Sequence, residues 1–239
     1  MTRNSMATLG LLGGMSWEST IPYYRLINET VRERLGGHHS APLVLYSVDF
    51  AAIEALQARG DWDAAGRLLV DAGTALERAG AQALVLCTNT MHRVADALEA
   101  GVGLPLLHIG DATGAAVRAA GLARVGLLGT RFTMEQAFYR ERLARSAGVE
   151  VLVPGAEDRD QVHRIIYQEL CHGEFLDASR EVFRAVIGRL VEAGAQGVIL
   201  GCTEIGLLVG PRQSPVPLFD TAALHARHAA LWALDENQR

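Results

Sequence analysis

Two short stretches carry side chains able to take up and release protons: Cys87-Thr88-Asn89-Thr90 and Gly201-Cys202-Thr203-Glu204. A thiol ionises near pH 8.5, within reach of neutral solution, whereas an unassisted hydroxyl is a poor base there. Cys202 is therefore the candidate base and Thr88 its candidate partner. Each stretch lies where an apolar run ends and a helical pattern begins. The positive end of a helix favours negative charge and lowers a thiol pKa, so Cys202 is expected as a thiolate. The competing reading, a buried inert cysteine, is common for this residue type. Further polar groups stand at the ends of other apolar runs. Asn89, Thr90, Thr130, Thr133 and Thr203 can donate to a carboxylate or accept from an ammonium. In Gly13-Gly14-Met15-Ser16 the glycines allow a backbone to approach a ligand closely, which adds Met15 and Ser16 to the candidate substrate-binding set. Any of these Ser and Thr residues can instead cap a helix.

The composition narrows the chemistry. Lys and Arg together number 22 and every one is Arg. Enzymes using pyridoxal phosphate need a Lys for the Schiff base, and a P-loop needs its Lys on the phosphates, so both classes are excluded and no cofactor is expected. Cys87, Cys171 and Cys202 are too far apart for a CxxC pair. They suggest reduced thiols in a cytoplasmic protein and no structural zinc. Cys87 and Cys171 are assigned to packing. His225 and His228 share a helix face without an evident third ligand, His38 and His39 fall in a loop, and no metal site is expected. His92 is placed one turn into the helix after Thr88, either assisting the site or simply packed. Arg131 can pair a distal carboxylate or stand exposed. The glycines of the first strand, Gly10, Gly13 and Gly14, do not make the dinucleotide fingerprint G-x-G-x-x-G. A net charge of −5 gives no footprint for nucleic acid. No apolar run is long enough to span a membrane, and Met1 to Thr8 lacks the apolar stretch of a secretory signal.

Short apolar runs alternate with helical stretches, the pattern of a parallel sheet covered by helices. The runs are 9–12, 43–48, 83–87, 106–109, 125–128, 151–153, 197–201 and 217–219. Helical patterns include 63–79, 90–99, 134–146 and 178–193. The chain also repeats itself. LGLLGG from Leu9 matches VGLLGT from Val125 at an offset of 116. AGAQALVLCTNT from Ala79 matches AGAQGVILGCTE from Ala193 at 114, and LPLL from Leu104 matches VPLF from Val216 at 112. The expected architecture is α/β: two pseudo-symmetric parallel-sheet lobes from internal duplication, with the active site in the cleft between them. The lobes are 1–113 plus 218–239, and 114–217. The repeat superimposes Thr88 on Cys202, Asn89 on Thr203 and Thr90 on Glu204. Two pseudo-equivalent loops facing one ligand suit an enzyme that takes a proton from one face of a carbon and returns one to the other.

The segments GLLGGMSWEST (Gly10–Thr20), YYRLIN (Tyr23–Asn28), SVDF (Ser47–Phe50), CTNTMH (Cys87–His92), LLHIGDAT (Leu106–Thr113), GLLGTRFTM (Gly126–Met134), IIYQELCHGE (Ile165–Glu174), GCTEI (Gly201–Ile205) and LFDTAALHA (Leu218–Ala226) resemble the aspartate/glutamate racemase family along nearly the whole chain. The resemblance implies a cofactor-independent racemase in which two cysteines, one per lobe, flank the substrate α-carbon. Cys202 matches the second of them. Thr88 stands where the first is normal, which resembles the branch with a Thr/Cys pair acting chiefly on L-aspartate and L-glutamate. In that branch Cys202 would deprotonate the L-enantiomer, and turnover of D-substrates is in doubt. A homodimer is also implied. Competing readings are a hydantoin racemase, decarboxylase or maleate isomerase on a related scaffold, and a non-catalytic amino-acid sensor.

Overall fold

The computed structural model describes residues 6–235. Of the N-terminal stretch considered above, Met1 to Ser5 lie outside the described residues. The chain divides into two compact units. The first comprises the chain up to Cys87, Arg93–His108, and the chain from His225. The second comprises Thr88–His92 and Ile109–Leu224.

The first unit holds β1 (Leu9–Gly13), α1 (Trp17–Leu35), β2 (Leu43–Ser47), α2 (Phe50–Arg59), α3 (Trp62–Arg78), β3 (Ala83–Leu86), α4 (Ala95–Gly101) and β4 (Leu106–Leu107). Its four strands are parallel in the order β2-β1-β3-β4. The second unit holds α5 (Ile109–Ala119), β5 (Arg124–Gly129), α6 (Arg131–Glu135), α7 (Ala137–Ala147), β6 (Glu150–Leu152), α8 (Ala156–Gln168), α9 (Asp177–Glu192), β7 (Val198–Gly201), α10 (Ile205–Leu208) and β8 (Leu218–Asp220). Its strands are again parallel, in the order β6-β5-β7-β8. The last helix, α11 (Thr221–Leu234), begins in the second unit and from His225 belongs to the first. There the His225 ring meets the Tyr23 hydroxyl at 3.0 Å and the Leu107 carbonyl at 2.6 Å. The Ala7 N–H donates to the Ala233 carbonyl at 3.0 Å.

All eight apolar runs are strands, and the pairing registers reproduce the sequence repeat. Gly10 lies opposite Leu84, and Gly126 opposite Val198. Leu84 lies opposite Leu106, and Val198 opposite Leu218. These equivalences carry the offsets of 116, 114 and 112 read from the sequence. Central strands buried on both faces read as unbroken apolar runs. In the second sheet Leu128, Val198 and Leu200 face Val162, Ile165, Phe183 and Ile187, while Leu127, Ile199 and Phe219 face Val117, Tyr139 and Leu143. The duplication extends to a packing detail. A Cβ at Gly10 would come within 2.8 Å of the Ala81 Cβ and 3.2 Å of the Leu76 Cβ; one at Gly126 would come within 2.9 Å of the Leu190 Cδ1. Leu76 and Leu190 are themselves repeat equivalents. The glycine in each first strand therefore serves helix–sheet contact.

The local boundaries differ in places. The helix expected over 90–99 is a 3-10 turn, Thr90–Val94, followed by α4. The one expected over 134–146 is broken at Gln136 into α6 and α7. After β1 the chain turns at Gly14, which has φ 89°. A Cβ there would lie 2.4 Å from the Val48 carbonyl oxygen. Gly14→Ala therefore combines a left-handed φ with a backbone clash, and we expect it to cost at least about 2 kcal/mol of unfolding free energy in urea titration. A loss below about 0.5 kcal/mol, the ordinary level for a tolerated surface change, would contradict this reading of the turn.

No helix among the described residues is long and apolar enough to cross a membrane.

Candidate active site

In the second unit the ends of β5 and β7 run side by side, with Gly129 opposite Gly201. A Cβ on Gly129 would sit 2.6 Å from the Gly201 carbonyl oxygen, so small residues are needed where the two strands close up. The chain leaves β5 at Thr130 and β7 at Cys202. Thr130 is the N-cap of α6 and its hydroxyl accepts the Thr133 N–H at 3.3 Å. The capping role weighed for these residues thus applies to Thr130.

The segment Thr88–His92 docks on the same strand ends. The Thr90 hydroxyl is 2.9 Å from that of Thr130 and 3.5 Å from that of Thr133. Asn89 Nδ2 donates to the Thr221 hydroxyl at 2.9 Å, and that hydroxyl donates to the Leu200 carbonyl at 2.7 Å. Because the Thr221 proton is committed to Leu200, Asn89 must present its NH₂ to Thr221, and this fixes its amide orientation. Asn89 Oδ1 is then left buried without a hydrogen-bond partner among the described residues. A buried acceptor in that state carries a penalty of about 1–3 kcal/mol until a donor meets it. His92 closes the segment. Its Nδ1 lies 2.7 Å from the Thr88 carbonyl, and its Nε2 accepts the Ile109 N–H at 3.2 Å. Those contacts require the neutral tautomer protonated on Nδ1. His92 is thus a buried brace between the Thr88 turn and the start of α5.

Cys202 and Glu204 form the second part. The Cys202 Sγ donates to Glu204 Oε2 at 2.9 Å, and the Thr203 hydroxyl donates to the same oxygen at 2.9 Å. Both residues are buried. The expectation that a helix end acidifies this thiol is not met. α10 has only 4 residues, and other influences are larger. Burial pushes the Cys202 pKa well up, and the Glu204 charge and the bond to its carboxylate add to that. The Glu204 backbone N–H on the sulfur works the other way and is weaker. At neutral pH Cys202 is a thiol whose proton points at a carboxylate.

Two further residues escaped the sequence reading in this region. Glu204 was recognised only as the repeat equivalent of Thr90, and Thr221 not at all. Cys171, assigned to packing, lies in a 3-10 turn, Leu170–His172, and packs against the core cluster that contains Cys202. Burial raises its pKa, and the Glu204 charge adds to the rise. Cys87, by contrast, is a packed core thiol that donates to the Val85 carbonyl at 3.5 Å. Met15 and Ser16 belong to the first unit, where both are buried and the Ser16 carbonyl accepts from the Ser19 and Thr20 hydroxyls. Arg131 is half exposed and paired with Asp160 at 2.9 Å. No group of three metal-ligating side chains occurs among the described residues.

Burial raises the pKa of all three thiols. A group whose folded pKa exceeds its unfolded value stabilises the fold fully below the unfolded pKa, about 8.5 for Cys, and that contribution is lost as pH rises toward the folded value. The thermal midpoint should therefore fall between pH 8.5 and 10.5, each thiol costing up to about 1.4 kcal/mol per pH unit. A Cys87→Ala variant should show a shallower decline; an identical slope would contradict the assignment.

The sequence profile of Asp/Glu/hydantoin racemases matches residues 12–229 of this chain. The chain belongs to that family. Among solved structures, a provisionally assigned Asp/Glu racemase from Yersinia pestis is 57% identical, with a TM-score of 0.88 over 96% of this chain and 100% of that one. An aspartate racemase homologue from Pyrococcus horikoshii is 34% identical, with a TM-score of 0.82 over 96% and 100% of the two chains. By sequence, the broad specificity amino-acid racemase RacX of Bacillus subtilis is 22% identical over 227 residues, 92% of this chain and 95% of that protein. Within the Asp/Glu/hydantoin racemase family, the two four-stranded parallel sheets described above are the shared two-lobed architecture.

Proposed function

We propose that the protein is a cofactor-independent amino-acid racemase acting on L-aspartate, L-glutamate or both, with Cys202 and Thr88 as its proton-transfer groups. The observation that carries this reading is the Cys202 thiol hydrogen-bonded to a buried carboxylate at the end of β7, in a chain of this family. Glu204 takes the thiol proton when substrate binds. The thiolate removes the α-proton of the L-enantiomer and becomes a thiol again, leaving a carbanion-like centre. The Thr88 hydroxyl delivers a proton to the opposite face, directly or through water. The proton held on Glu204 returns by way of water to Thr88, so no net proton is consumed.

The substrate α-ammonium is assigned to Asn89 Oδ1, the one acceptor at this site that is buried without a donor among the described residues. Hydroxyls of Thr90, Thr130 and Thr133 hold the carboxylate. Aligned donors on the carboxylate stabilise the carbanion-like transition state more than the ground state. The three free cysteines accord with a reducing, cytoplasmic setting, and the assembly in this reading is a homodimer.

The test is proton NMR of L-aspartate and L-glutamate with the protein in D₂O. Loss of the α-proton signal, with appearance of the D-enantiomer on a chiral column, is the expected result. The raised Cys202 pKa favours one competing reading, a non-catalytic amino-acid sensor. Calorimetric binding of either amino acid without α-proton exchange would establish that reading instead.

A further inference from the structure

Large apolar side chains on a helix surface ordinarily turn inward, and α1 obeys this on one side only. Tyr23 and Ile27 are buried, but Trp17, Ile21 and Tyr24, spaced along one ridge, are 58–59% exposed. On the flank of α1 opposite this ridge, Tyr23 meets His225 of α11, whose ring also reaches β4. The ridge therefore turns toward β2, the edge strand of the sheet. Leu45 joins it. A Cβ on Gly13 would touch both Thr20 of α1 (2.4 Å) and Leu45 of β2 (3.0 Å), so Leu45 lies beside the first half of α1. Leu45 and Tyr46 are 43–44% exposed. A bare edge strand with exposed apolar residues invites pairing with another chain unless it is covered.

The second unit supplies an internal comparison. There α7 takes the place of α1 and β6 that of β2. The exposed residues of α7 include Ala137, Glu141, Ala144 and Arg145. The edge strand β6 starts with Glu150, paired with Arg124 at 2.8 Å, and Pro154 follows shortly after it. Charge and proline are the usual means of keeping an edge solitary. The second copy carries a charged residue within its edge strand; the first, although Pro42 precedes β2, carries Leu45 and Tyr46 in the strand and Trp17, Ile21 and Tyr24 on α1.

We propose that the α1 flank and β2 edge form the interface with a second copy of this chain, related by a two-fold axis that sets α1 against α1 in antiparallel fashion. Area favours a self-match. An aromatic side chain offers about 150–250 Å², so the four ridge and strand residues expose on the order of 500 Å² per copy, as large as the patches that mark interaction sites. With a rim of Arg25, Asn28 and Ser47, a two-fold pairing covers on the order of 1,200 Å², the lower bound for a specific interface. This inference rests on the homodimer in the reading above and names its surface; it does not depend on the proton chemistry.

Light scattering on the size-exclusion peak of the full chain at micromolar concentration tests it. The wild type should have the mass of a dimer. The double variant Ile21→Glu/Tyr24→Glu should elute as a monomer, its dissociation constant raised at least about 100-fold by unpaired charge in an apolar contact. Leu176→Glu, at an exposed apolar residue of the second unit, should remain dimeric. Circular dichroism checks that the variants fold, and slowed amide exchange over 17–24 and 43–47 at higher protein concentration reads the same interface without substitution. A monomeric wild type removes the homodimer and its surface together. A dimer that survives the double variant removes this surface and leaves the homodimer standing.

Discussion

Cys202→Ala should abolish α-proton exchange from L-aspartate and L-glutamate, lowering kcat/KM at least about 1,000-fold, the upper range for loss of a general base. Binding of the amino acids, followed by calorimetry, should change only several-fold, because no hydrogen bond to the substrate is assigned to the sulfur. Cys202→Ser should be nearly as inactive. It preserves the bond to Glu204 but replaces a thiol with a hydroxyl, whose proton is far harder to remove. Substantial exchange in either variant would show that the base lies elsewhere and would overturn the proposed roles of both Cys202 and Thr88.

Glu204→Gln should lower kcat by about 100-fold or more with little change in KM. The amide can still accept from Cys202 and Thr203, but it cannot take the thiol proton. The same substitution removes the charge that helps hold the Cys202 pKa up, so the thiol should become more acidic. Iodoacetamide alkylation of Cys202, followed by mass spectrometry, should then begin at lower pH in the variant than in the wild type. The two effects run in opposite directions: a more available thiolate and a slower enzyme. If Glu204 merely suppressed the thiolate, activity would rise with acidity, and that outcome would sink the proton-relay role.

Much of the architecture is legible in the sequence, for a simple reason. Central strands buried on both faces are apolar throughout, the edge strands keep short apolar runs of their own, and the nearly equal offsets of 116, 114 and 112 expose the duplication. Of the candidate site, the places of Cys202, Thr88, Asn89, Thr90, Thr130 and Thr133 at strand ends are legible; all six fall in the second unit, where hydrogen bonds join Thr90 to Thr130 and Thr133. The acidity of Cys202 was misjudged because it depends on where the Glu204 side chain turns. A carboxylate two residues on can point away or fold back, and only packing decides. Cys171 packs against the same core cluster as Cys202, a long-range proximity that no local pattern records. Thr221 was missed because its hydroxyl acts through Asn89, 132 positions away in the chain.

The hydrogen bond from Ala7 to Ala233 brings the two ends of the described chain together within one unit. Within the first unit the described chain thus nearly closes on itself, and its order of reading is separable from its architecture. A covalent join there, with new ends opened at the exposed turn around Gly121 (φ 70°), would place the second sheet first in the sequence while leaving every strand pairing intact. Chains whose ends meet and whose loop tips are exposed generally tolerate such rewiring. What the duplication conserves is then a pairing scheme rather than a starting point, and a permuted gene would encode the same strand pairings in a new chain order.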